Sequence, residues 1–120
     1  MKKIEAFEAV IEKGGTGHIL EAGINPYMFW AYRDSQEAGS DLLNFNEVIW
    51  DNDIVPIVEA CREYGIKEFT ISSTYSSLIA TLAEFEKHGC KLVGLTTVKT
   101  RFTDFITHEK EIKPAVLMRL

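Results

Sequence analysis

Apolar residues at Ile4, Phe7, Val10 and Ile11 recur at the 3.6-residue period of a helix, which predicts a helix over residues 2–13 that Gly14-Gly15 stops. Thr16-Gly17-His18 reads as a turn. A second helix has a clear start. Asn25 is a good N-cap, Pro26 at the first helical position loses no needed N–H, and Ile24 can staple the entry. That helix runs from Tyr27 to Ala38, with Gly39 just past its end. Residues 40–50 have no settled period and read as an irregular loop or a short strand at Glu47–Trp50. Asp51-Asn52-Asp53 supplies caps and negative charge for a third helix, whose apolar face is Ile54, Ile57, Val58 and Cys61. Pro56 is read as first-turn, where it is tolerated, and Gly65 closes the helix.

From Ile66 to Ser72 the period changes to two, as Phe69 and Ile71 alternate with Thr70 and Ser72. Ser73 or Thr74 then caps a fourth helix carrying Leu78, Ile79, Leu82 and Phe85, and Gly89 ends it before a strand over Cys90–Thr100. Strand, helix and strand in this order predict a right-handed βαβ unit with parallel strands. Arg101–Asp104 and Thr107–Lys110 read as polar turns. Ile112–Leu120 reads as a last strand, with Pro114 suggesting an edge or a bulge. Connections this short cannot cross over, so the final strands should be antiparallel. The expectation is an α/β, mixed α+β, fold in one domain spanning residues 1–120: a small mixed sheet packed with three to four helices.

Composition narrows the classes. At 120 residues, with 46% apolar and 26% charged positions, the chain has globular proportions and shows no repeat or low-complexity stretch. No apolar run approaches a membrane span, and acids enter the first helix at once, so a cytoplasmic protein without membrane attachment is expected. Two cysteines, Cys61 and Cys90, are too few for a disulfide scaffold and read as small buried hydrophobes. His18, His88 and His108 are isolated, and no Cys-x-x-Cys occurs, so zinc is not expected. Glu47, Asp51 and Asp53 lack the pattern of a calcium loop, and capping explains the two aspartates. Gly14-Gly15-Thr16-Gly17 fails as a phosphate loop, because it follows a helix and lacks the lysine. Neither a metal nor a cofactor is expected.

Charge is unevenly spread. Residues 34–63 hold eight acids against Arg62 alone, whereas residues 87–120 carry a net charge of +4 within a chain of net −5. If the two blocks lie on different faces, the molecule is electrically bipolar. If they lie side by side, they largely cancel. Six of the thirteen aromatic residues fall in residues 27–50: Tyr27, Phe29, Trp30, Tyr32, Phe45 and Trp50. Tyr27 and Trp30 share one side of their helix, and Phe29 and Tyr32 point toward another. Either Phe45 and Trp50 cover the second side, or some aromatics stay exposed beside the acidic block, as at an interface hot spot with a charged rim.

Two runs carry a family resemblance: Asp41-Leu-Leu-Asn-Phe-Asn-Glu-Val-Ile-Trp-Asp51, and Glu68-Phe-Thr-Ile-Ser-Ser-Thr74 leading into the fourth helix. With the chain onward to its C-terminus, they resemble an uncharacterised family of small bacterial proteins often carried on plasmids and integrative elements. The resemblance implies no activity and no catalytic residues. By analogy it implies the company of small acidic inhibitors and adaptors, including anti-restriction and anti-CRISPR proteins.

Three functions compete. The favoured one is a protein-binding module, acting as an inhibitor of a nucleic-acid-handling enzyme, that presents Tyr27, Trp30, Asp34, Glu37, Asp41, Glu47, Trp50, Asp51 and Asp53 to a partner with a basic surface. The second is a small enzyme or ligand sensor that binds an anionic metabolite at Ser72, Ser73, Thr74 and Ser76, where a strand end meets a helix N-terminus. No Gly-x-Ser-x-Gly elbow surrounds these serines, and no catalytic signature occurs elsewhere. The weakest is direct nucleic-acid binding by Lys91, Lys99, Arg101, Lys110, Lys113 and Arg119, which the net negative charge opposes. Self-association through the edge of the last strand is compatible with all three.

Overall fold

The computed structural model describes residues 2–14 and 17–120. The glycine-rich segment therefore falls partly outside the described residues, at Gly15 and Thr16. Nine elements follow in order: α1 (Glu5–Lys13), α2 (Gly17–Glu21), α3 (Pro26–Ala38), β1 (Leu43–Phe45), α4 (Asp51–Glu63), β2 (Glu68–Ile71), α5 (Leu78–Lys87), β3 (Lys91–Thr103) and β4 (Lys110–Arg119). The fold is mixed α+β, with a four-stranded mixed sheet in the order β1-β2-β4-β3. The described residues form five helices, because residues 17–21, of which Gly17 and His18 were expected in a turn, form a short helix that buries Ile19.

The hydrogen-bonded parallel pair is β1 and β2, joined by α4. The expected pair, β2 and β3, does run in one direction, since each is antiparallel to β4, but β4 lies between them. Its apolar sequence suits that place: Met118 is fully buried, and Val116 packs against the core. From Val116 to Arg119 the last strand is consequently not an edge, and the edge expected of it is confined to its first half. Pro114 is tolerated because it lies opposite Thr97 where β4 has outrun β2, so this part of β4 has a neighbour on one side only.

The first strand lies at Leu43–Phe45, not at Glu47–Trp50. Leu43 and Phe45 alternate with Asn44 and stand opposite Phe69 and Ile71. Pro56 falls inside α4, past the first turn, and leaves the carbonyl of exposed Asn52 without a helical partner. α5 starts later than expected, with Ser77 at the N-cap, so neither Ser73 nor Thr74 caps it. β3 continues through the residues expected to turn at Arg101, and the β3–β4 hairpin reverses at Asp104–Glu109.

One core ties the helices to the sheet. Phe69 meets Phe45 at 5.5 Å and Phe85 of α5 at 5.4 Å between ring centroids. Phe7 of α1 packs edge-on to Tyr32 of α3 and Tyr64 after α4, at 5.0 and 4.9 Å. The Tyr32 hydroxyl donates to Glu8 Oε1 at 2.6 Å and accepts the Ile4 N–H at 3.1 Å, which satisfies a polar atom inside apolar surroundings. α3 closes the open side of β1, where Ser35 Oγ accepts the Asn44 N–H at 3.0 Å. Asn44 in turn accepts from Thr70 and donates to Ser72, locking the ends of β1 and β2 together.

Candidate functional site

α3 divides its aromatic residues by helical position. Met28, Phe29, Tyr32 and Ser35 face the core and are buried. Tyr27, Trp30, Ala31 and Asp34 occupy i, i+3, i+4 and i+7, one continuous stripe, and line a cavity of about 160 Å³. Its other wall is Phe45, Asn46 and Glu47, at the end of β1. The start of α3 is fixed by the Asn25 side chain, which accepts the Met28 N–H at 3.2 Å, and by Pro26 at the first helical position. Phe45 is held from behind by its contact with Phe69.

Three aromatic walls and two carboxylates therefore converge on one hollow. Trp30 is 41% exposed, so the reading in which some aromatics stay uncovered holds for its side of the helix. Burial, and then the negative charges of Asp53 and Glu47, push the Tyr27 phenol above its ordinary pKa, so Asp53 lies near Tyr27 without lining the cavity. The phenol stays protonated at neutral pH and remains a donor.

Cations are already drawn to the rim. The Arg33 guanidinium lies 5.9 Å from the Trp30 ring centroid, and Arg101 Nη1 reaches Asp34 Oδ1 at 3.6 Å. The second contact brings the basic hairpin against the acidic block, so the two charge blocks meet here. A cavity of roughly 150 Å³ accepts a benzene-sized group, so the hollow matches one ring or one guanidinium plane.

Of the nine residues expected to face a partner, Tyr27, Trp30, Asp34 and Glu47 line this cavity, and Asp53 lies near Tyr27. Trp50, 66% exposed, and Asp51 instead line a neighbouring cleft with Tyr75 and Ser77. Glu37 is exposed near the end of α3, and Asp41 lies beyond that end beside other clefts. Phe45, Asn46, Pro26 and Ala31 were not anticipated. The stripe spacing pointed to Ala31, but only the location of β1 reveals Phe45 as a wall.

The Ser72–Ser77 segment does not gather its hydroxyls. Ser72 and Ser73 are buried, and Ser72 Oγ is taken by Asn44, whereas Thr74 and Ser76 are exposed. The cleft beside Tyr75 and Ser77 contains Asp51, whose carboxylate opposes an anion. Among the described residues, no three His, Cys, Asp or Glu side chains are placed to hold a metal ion. No helix among them is long and apolar enough to cross a membrane.

A family model described as a domain of unknown function (DUF7698) matches residues 27–120. The chain belongs to this family. The DUF7698 region begins at Tyr27, the first wall of the cavity, and contains every aromatic and acidic residue of the site, while α1 and α2 lie outside it. No curated protein and no solved structure matches the chain.

Proposed function

We propose that this member of the DUF7698 family is a protein-binding module whose α3–β1 cavity receives a basic side chain from a partner protein. The carrying observation is the convergence of Tyr27, Trp30 and Phe45 with Asp34 and Glu47 around a hollow of about 160 Å³. Aromatic faces attract a guanidinium or ammonium group through their quadrupole, and partial desolvation strengthens that attraction. The carboxylates add directional, charge-assisted acceptors, for which arginine's planar fork is the better match. Exposed Trp50 and Asp51 extend the acidic, aromatic surface outward as a rim. The nucleic-acid groove of a nucleic-acid-handling enzyme is one such basic surface, and occupying it would make the protein an inhibitor of that enzyme.

The test uses Trp30 as its own reporter. Trp50→Phe leaves Trp30 as the single indole. Its emission should change saturably with a Gly/Ser peptide bearing one arginine and should not respond to the same peptide bearing glutamate. Glu47→Lys should weaken the arginine peptide by about tenfold, the equivalent of about 1.4 kcal/mol. An equal response to both peptides, or none to either, rules the reading out.

A further inference from the structure

The sheet has two edges and one overhang, and they are protected unequally. β1 is three residues long, and its outward Asn44 N–H is taken by Ser35. The overhang of β4 contains Pro114, which has no N–H to offer a new strand. β3 is different: it is thirteen residues long and has no proline. Between its two irregularities, Gly94–Lys99 runs in unbroken register against Leu117–Ile112. Among the described residues, no hydrogen bond beyond the ladder with β4 engages the backbone of residues 94–99. Six residues is the length of an ordinary strand, so this is a full-sized template with open donors and acceptors.

Its side chains indicate what fits. Leu95 is 86% exposed and shares a face with exposed Thr97 and Lys99. Leu92 and Val93 continue the exposed apolar surface toward Lys91. β3 carries Lys91, Lys99 and Arg101 and no acid. A second copy paired along this edge would bring six cations into one ladder with no acid on either strand. Edge lysines of this kind oppose self-pairing. We propose that the open edge of β3 is a docking site for an extended segment of another protein, added as a fifth strand, that carries an apolar and an acidic residue four positions apart on one face. Main-chain hydrogen bonds supply the pairing, Leu95 selects an apolar neighbour, and Lys99, four residues along the same face, selects the carboxylate. The pairing edge Gly94–Lys99 ends before Arg101, where β3 meets Asp34 of the α3–β1 cavity, and the proposal does not depend on that cavity.

The probes are two threonine-rich nonapeptides, one with valine and glutamate four residues apart and the other with valine and lysine so spaced. The readout is amide hydrogen exchange of the intact protein, resolved residue by residue. The Val/Glu peptide should slow the outward amides within Gly94–Lys99 by about tenfold or more, and the Val/Lys peptide should not. A Lys99→Glu variant that keeps its circular dichroism spectrum should reverse the preference. No slowing with either peptide, or equal slowing with both, overturns the proposal. Slowing that grows with protein concentration in the absence of peptide overturns it in favour of a second copy.

Discussion

The body of the molecule and the β3–β4 hairpin use similar apolar residues in opposite ways. In the body, Phe7, Phe69, Phe85 and Met118 are sealed, and the buried hydroxyl of Tyr32 has both its partners. Along the hairpin, Leu95, Phe102, Phe105, Ile106 and Ile112 stay in water. The hairpin turn is nevertheless well built. Asp104 Oδ1 accepts the N–H groups of Ile106 and Thr107 at 2.8 and 2.9 Å, which holds its carboxyl below the usual aspartate range. Its apolar residues are therefore presented from ordered backbone and are not left over from an unfinished core. The body spends its apolar surface on stability, whereas the hairpin keeps its own available for contact.

Truncation should separate the two regions most sharply. Phe69→Ala should cost about 3–5 kcal/mol in denaturant unfolding, as for large aromatic cores. Phe105→Ala should stay within about 0.5 kcal/mol of wild type, as for surface positions. Comparable losses at both sites would mean that the hairpin is packed in solution and would erase the contrast.

Alkaline pH probes the body alone. Burial, with the neighbouring Cys90 adding and Arg62 opposing, pushes the Cys61 thiol up to about 12. The native state then keeps a proton that the unfolded chain releases near pH 9. The contribution is intact below the unfolded pKa and is lost as pH rises through the folded one. Between about pH 9 and 12 stability should fall by about 1.4 kcal/mol per pH unit from this group. Cys61→Ala should flatten that slope in urea midpoints measured from pH 7 to 11. An unchanged slope would place the thiol in contact with solvent.

Tyr32→Phe removes one hydroxyl and leaves Glu8 and the Ile4 N–H without their shared partner, at a cost of about 1–2 kcal/mol. Asp104→Ala should produce the smallest global change, with its effect confined to faster hydrogen exchange at Ile106 and Thr107. The same loosening should follow acidification, because stabilisation by a depressed carboxyl is present above its unfolded pKa and lost as pH falls through the folded one. A global loss after Asp104→Ala would show that the turn supports the body.

Local sequence signals located most elements and failed where the fold depends on distant partners. The Asn25-Pro26 start, Gly39 at the end of α3 and the alternation at Phe69–Ile71 are short-range features, and each lies where expected. The three residues of β1 carry too little alternation to stand out, and only their pairing with Phe69 and Ile71 defines them. Strand order was illegible for a similar reason: β4 pairs with both β2 and β3, and its own sequence names neither neighbour. The site followed the same division. The stripe of Tyr27, Trp30 and Asp34 could be read from helical spacing, whereas its opposite wall at Phe45–Glu47 depends on where β1 docks.

The central claim is that the α3–β1 cavity selects a basic partner, and parallel affinity capture from a nuclease-treated cell lysate tests it most directly. The baits are the wild-type chain and a folded Trp30→Ala/Glu47→Lys variant, compared by quantitative mass spectrometry. Wild type should retain a protein with a basic surface that rising salt releases and that the variant loses. Equal retention of the same proteins by both baits would contradict it.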